Sequence, residues 1–148
     1  MTTKKTINLS DFLPYRLANL ANNVSEAFSE VYCDEFDLSI PQWRILVNLF
    51  EHGLVTAKDL GDLAAMDKST VSRAVKIMLV RGDLIKIVNE KDKRAYYLQL
   101  TEQGKDLYYA IAPKALDWES DLLSVLDVNE QKNLMLIIDK LDKKIAFK

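Results

Sequence analysis

The sequence predicts a mainly α-helical protein carrying one small β-hairpin. Three observations lead there. Two short helical periods joined by a tight connection occupy residues 57–81, and a hairpin pattern follows directly after Gly82. Near the start, Leu13, Leu17, Leu20, Val24, Ala27 and Val31 recur at spacings of 4-3-4-3-4. A last amphipathic run places Leu134, Ile138, Leu141 and Ile145 on one side.

The first period has Ser10 or Asp11 as its cap and Pro14 in its first turn, where proline costs nothing. Its seam is narrow and heptad-like, the pattern of a helix that packs on another helix, within the chain or across a dimer. The helix is expected to end around Glu35–Asp37. Ser39 to Gln42 has the form of a capping box with proline in the first turn. Trp43, Leu46, Leu49 and Phe50 carry the period onward, and Gly53 stops it.

Thr56 then caps a short helix with Asp59 three residues on, and Ala57, Leu60, Leu63 and Ala64 form its expected inner face. In the following helix Val71, Ala74, Val75, Met78 and Leu79 face the core. Ser69, Ser72, Arg73 and Lys76 lie opposite, with no acid between Ser69 and Lys76. Such a pair is a helix-turn-helix. Leu84–Val88 and Ala95–Leu100 read as strands around the polar loop NEKDKR, so the unit is a winged helix-turn-helix. Thr101 caps the next helix through Leu107, Tyr108, Ile111 and Ala112, with a bend expected near Pro113, and Asp127–Glu130 opens the last.

Composition narrows the function. The 148 residues suit one compact unit with a real core. No window approaches a membrane span and the polar start has no signal-peptide core, so the expected location is cytoplasmic. One cysteine, Cys33, makes no internal disulfide, in keeping with a reducing compartment. With one histidine, His52, there is no Cys/His cluster for zinc and no triad, and the four glycines form no phosphate loop. Neither metal, cofactor nor catalysis is expected; His52 suits a helix end, where a cation meets the dipole favourably.

Charge is unevenly placed. From Lys68 to Arg94 there are eight cations against Asp83, Glu90 and Asp92, a surplus of five. The rest of the chain therefore carries minus seven to reach the net −2. A solvated face is usually mixed in sign; charge of one sign in one module is the footprint of a polyanion-binding surface. On that reading Lys68, Ser69, Thr70, Ser72, Arg73 and Lys76 meet phosphates and base edges of double-stranded DNA, and Lys91, Lys93 and Arg94 extend the contact from the wing.

The run DKRAYYLQLTEQG, from Asp92 to Gly104, resembles the wing signature of the MarR family of bacterial transcription regulators, D-x-R followed by L-T-x-x-G. DKSTVSRAVKIMLVRGDLI resembles that family's recognition helix, and SIPQWRILVNL its second helix. The likeness runs from Leu13 to Ile145. It implies a homodimer on a pseudo-palindromic operator, with residues 11–36 and 105–147 as the dimerisation region and 39–104 as the DNA-binding lobe. It also implies that Asp92 pairs with Arg94 to shape the wing, whose tip enters the minor groove. A small-molecule pocket for an aromatic acid is implied too, with Arg16 for the carboxylate, Tyr15 or Trp43 for the ring, and Asn19 and Asn23 on the same polar line. Without the resemblance that line is a solvated face.

The expected function is thus a ligand-responsive, homodimeric repressor released by a small aromatic carboxylate. Two rivals remain. One is a winged helix used for protein contact, which ought to expose large apolar residues where this one has Ser, Arg and Lys. The other is a thiol sensor at Cys33, against which stands its acidic company, Asp34 and Glu35.

Overall fold

The computed structural model describes residues 3–147. They form two compact units, divided within one helix between Ala112 and Pro113. The first unit begins with α1 (Leu13–Ser29). Ser10 and Asp11 do not cap it: the N-cap is Phe12, without a side-chain bond, and Ser10 instead binds the Asn8 carbonyl side chain at 2.8 Å. Pro14 sits in the first turn as expected.

The helical run also stops earlier than the seam suggested. Tyr32 leaves helical geometry, a single turn α2 (Cys33–Phe36) follows, and Asp37 adopts the left-handed conformation. Packing is the physical reason. The bend lets Tyr32 bury itself with its ring stacked on Trp43 at 5.2 Å and edge-on to Phe28 at 5.4 Å.

α3 (Ile40–His52) starts at the full capping box of Ser39 and Gln42 and ends at Gly53, whose φ of 79° few side chains tolerate. A two-residue strand β1 (Val55–Thr56) comes next, then α4 (Ala57–Ala64) and α5 (Lys68–Arg81). The hairpin is β2 (Leu84–Val88) and β3 (Tyr96–Leu100), antiparallel in the register Leu84 to Leu100 and Val88 to Tyr96. β1 adds to β3 on its other side, giving a sheet of order β1-β3-β2. That third strand was not foreseen, because two residues show no period.

The core lies between α3, α4, α5 and the sheet, where Ile45, Leu46, Leu60, Met78 and Leu98 are fully buried. Leu63 departs from the expected inner face of α4 and is exposed. α6 (Glu102–Leu123) continues as helix through Pro113. In the second unit α7 (Val128–Ala146) opens on a capping box of Asp127 and Glu130. None of its residues is buried, so the apolar run Leu134–Ile138 faces outward, as does the start of the α1 seam at Leu13, Leu17 and Leu20.

Where the wing returns to α6 the backbone is crowded. Thr101 donates its hydroxyl to the Gly82 carbonyl at 2.6 Å and its amide to the Asp83 carbonyl at 3.0 Å. The Gly104 amide in turn donates to the Thr101 hydroxyl at 3.1 Å. A Cβ on Gly104 would lie 2.3 Å from the Asp83 carbonyl oxygen, far inside contact distance. Gly104→Ala is therefore expected to lower stability by about 1–3 kcal/mol, the usual cost of overpacking. Urea unfolding checks it; an unchanged midpoint would show that the helix shifts freely.

Candidate nucleic-acid interface

α5 begins at Asp67, whose carboxylate accepts the Thr70 amide at 2.7 Å. Hydrogen bonding from the Thr70 amide and then its side chain, with a smaller effect of the Arg73 charge, holds the Asp67 carboxyl below its ordinary 3.8. The connection from α4 turns at Ala65, at φ 54°, and Gly61 lets the Met66 carbonyl pass close by. The four core-facing side chains Val71, Ala74, Val75 and Met78 then fix which side of α5 faces outward.

Lys68, Ser69, Ser72, Arg73 and Lys76 are exposed on that side and Thr70 is half-buried. The Arg73 guanidinium donates to the Ser69 hydroxyl at 3.2 Å, one turn back, which lays it along the helix surface. The face is not wholly polar. Ile77 and Val80 continue it toward the C-terminus and are 49% and 84% exposed.

The wing loop is ordered by side chains that hold its own backbone. Asn89 accepts the Lys91 amide at 3.1 Å, and Asp92 accepts the Arg94 amide at 3.1 Å. Asp92 thus meets Arg94 through the main-chain amide. Such Asx turns set loop shape while leaving a long side chain to solvent. Lys91, Lys93 and Arg94 are all exposed.

Three cations behave in ways that spacing did not disclose. Lys86, on β2, lies over the Tyr96 ring at 4.4 Å from its centroid. Lys58 of α4 lines, together with Lys68, Ser72 and Tyr96, a cleft of about 480 Å³ beside α5. Arg81 turns away from solvent: it donates to the carbonyls of Phe36 and Asp37 and its Nε stands 3.2 Å from the buried Asp83 carboxylate. Because Arg81 takes Asp83 with it, the module's surplus of five positive charges remains.

The residues singled out for a small molecule are scattered in their engagements. Tyr15, Arg16, Asn19 and Asn23 are exposed on α1, and Arg16 donates to the Ser10 carbonyl at 2.8 Å. Trp43 is held in the aromatic cluster with Phe28 and Tyr32. Cys33 is half-buried beside Tyr32, whose phenol is pushed up to about 12, mainly by burial. Among the described residues no three His, Cys, Asp or Glu side chains form a metal-binding group. No described helix is long and apolar enough to cross a membrane.

The sequence model of the MarR family matches residues 36–95, from the end of α2 through the wing loop, short of β3. Over this segment, and in its fold, the chain is similar to the MarR family of transcriptional regulators. A MarR/EmrR family transcriptional regulator from Acinetobacter sp. ADP1 is 27% identical and superposes with a TM-score of 0.83 over 96% of this chain and 100% of its own. Two further solved structures share the MarR fold. A mutant MarR from E. coli, complexed with operator DNA, has a TM-score of 0.78 at 19% identity, covering 92% of this chain and 99% of its own. NadR, complexed with 4-hydroxyphenylacetate, has a TM-score of 0.78 at 20% identity and covers both chains fully. The chain accordingly has the winged-helix fold of these MarR transcription regulators.

The Asp67 cap has a consequence in acid. A carboxyl held low in the folded state contributes stability that is complete above its unfolded value and is lost as pH falls through its folded one. Asp67→Asn, which keeps an acceptor oxygen but no titration, is expected to flatten the acid side of the stability profile below 3.8. Urea midpoints across the acid range measure it; parallel profiles would refute the assignment.

Proposed function

We propose that this chain is a MarR-family regulator, a homodimeric transcriptional repressor in the cytoplasm, binding a pseudo-palindromic operator in double-stranded DNA and released by a small aromatic carboxylate. Its work is binding, not catalysis. The observation that carries the DNA reading is the joint exposure of Ser69, Arg73 and Lys76 on α5 and of Lys91, Lys93 and Arg94 on the wing, in a module with five surplus positive charges. The operator complex of the E. coli relative supports it. In this reading Lys68, Thr70 and Ser72 join the α5 contacts, and Asp92 holds the wing in shape for a minor groove.

The dimer reading rests on the outward apolar faces of α1 and α7, since contiguous exposed apolar surface marks an interaction site. A second reading, a winged helix for protein contact, has Ile77 and Val80 in its favour. Selection of duplexes from a random pool separates the two. The DNA reading requires enrichment of a palindrome bound by two chains and weakened by salt. Arg73→Ala is expected to relax base preference at about 1–3 kcal/mol per half-site, as loss of a bidentate major-groove contact does. Arg94→Ala is expected to weaken all sites more evenly, since the minor groove is read by shape. Changed core bases with Arg94→Ala and unchanged ones with Arg73→Ala would reverse the groove assignment.

The effector reading takes Arg16 for the carboxylate and Tyr15 for the ring, with Asn19 and Asn23 on the same helix, whereas Trp43 packs on Phe28, about three helical turns from Arg16; NadR's ligand supplies the probe. Adding 4-hydroxyphenylacetate is expected to weaken operator binding, and by linkage DNA must weaken the ligand equally. Arg16→Ala lowers the ligand's affinity and leaves DNA affinity alone. Identical calorimetric titrations of both proteins would remove Arg16 from the site.

A further inference from the structure

We propose that Arg81 is a positioning residue that sets the angle at which α5 presents its reading face, acting through Asp83 and Gln103; this rests on the DNA reading above. Three segments distant in sequence meet at its guanidinium. Its terminal nitrogens bond the carbonyls of Phe36 and Asp37, at the corner between α2 and α3. Its Nε faces Asp83, just beyond the end of α5. Gln103, at the start of α6, closes the ring by donating to the Arg81 carbonyl at 2.8 Å and to the Asp83 carboxylate at 2.9 Å.

Asp83 makes the joint exacting. It is 1% exposed, and its Oδ2 receives no aligned hydrogen bond, so Arg81 alone answers that oxygen's charge. An unanswered buried charge is costly, and the guanidinium is thereby confined to one place. Its fork then holds the α2–α3 corner at a fixed distance. A lysine has the charge without the fork and cannot bond carboxylate and two carbonyls together.

The joint lies at one end of α5 and the Asp67 cap at the other, about 20 Å apart by helical rise. Releasing it lets the helix pivot on its N-terminus. Hydrogen bonds to base edges weaken steeply with misalignment, whereas attraction to phosphates does not depend on angle. Losing Arg81 must therefore harm specific binding and spare non-specific binding. A phosphate contact or a plain structural staple predicts otherwise.

The experiment uses the full chain, the duplex enriched from the random pool and a scrambled duplex of equal length. Arg81→Lys and Asp83→Asn are each expected to lower affinity for the enriched duplex by about tenfold, the size of one base contact. Scrambled binding and the salt slope stay unchanged, and the double variant is no worse than the poorer single one. Gln103→Leu, at an exposed position, probes the joint without unpairing a buried charge and is expected to lower the same ratio about threefold. Two results overturn the proposal. A salt slope reduced by about one per protomer, with both duplexes weakened, makes Arg81 a phosphate contact. A lowered melting point with an unchanged specific-to-scrambled ratio, in Arg81→Lys and Gln103→Leu alike, makes it a staple. If the unsubstituted chain binds the two duplexes equally, the DNA reading falls first and the proposal with it.

Discussion

The winged lobe depends on a backbone approach that only glycine permits, Gly104 against the Asp83 carbonyl. Everything at the exit of α5 is arranged around it. Gly82, at φ 90°, turns the chain out of the helix, and its carbonyl is taken by the Thr101 hydroxyl. The Asp83 carbonyl is taken by the Thr101 amide, so the same residue that opens α6 also pins the start of β2. The wing is thereby fastened to α5 at its root, while Asn89 and Asp92 order its tip and Lys91, Lys93 and Arg94 stay exposed there. Buried charge adds to this root. Breaking a pair such as Arg81–Asp83 typically costs about 3–5 kcal/mol, and the low end applies here because Arg81 remains 28% exposed.

That division of labour shapes the electrostatics. Of the eight cations between Lys68 and Arg94, one is spent inside on a matching acid and one stands over a tyrosine ring. The inner pair removes no net charge, and the others stay in solvent on α5 and the wing tip. At physiological salt, charges separated by more than about 8 Å are largely screened from each other. In the proposed reading the module meets a polyanion through close contact, not through a field reaching across the molecule. Base-edge contacts in that reading require a fixed presentation, the role proposed for the joint at the end of α5.

Much of this was legible in the sequence. The capping boxes at Ser39 and Asp127, the core stripe of α5 and the two hairpin strands all follow from local rules, because helix ends and half-buried faces are decided by near neighbours. The limits are equally physical. The break after Ser29 comes from Tyr32 finding Trp43, a contact between helices that a continuous seam conceals. Arg81 reads as one more surface cation, since nothing local says that its partners are carbonyls 44 and 45 residues away. The signal was nevertheless present: an acid two residues after an arginine at the end of a helix, then a glutamine and a glycine after the hairpin. The polar line of α1 was read as a set, yet its one engaged cation, Arg16, reaches back to Ser10 and Trp43 is committed to its aromatic neighbours.

The exposed apolar surface carries the last step. Leu13, Leu17 and Leu20 on α1, and Leu134 to Ile138 on α7, are each at least 36% exposed. Apolar area left in water forgoes about 25 cal/mol for every Å² that a partner would cover. Several side chains of this size on each helix therefore amount to a substantial incentive to associate. Association of two identical chains is most simply two-fold, and two-fold symmetry presents two identical reading helices in opposed directions. A duplex site recognised by such a pair must itself be near-palindromic, with half-sites one helical turn or a multiple apart. In the proposed regulator the operator's symmetry thus follows from leucines far from any base, and anything that alters how those faces meet also alters the spacing at which Arg73 and its counterpart read.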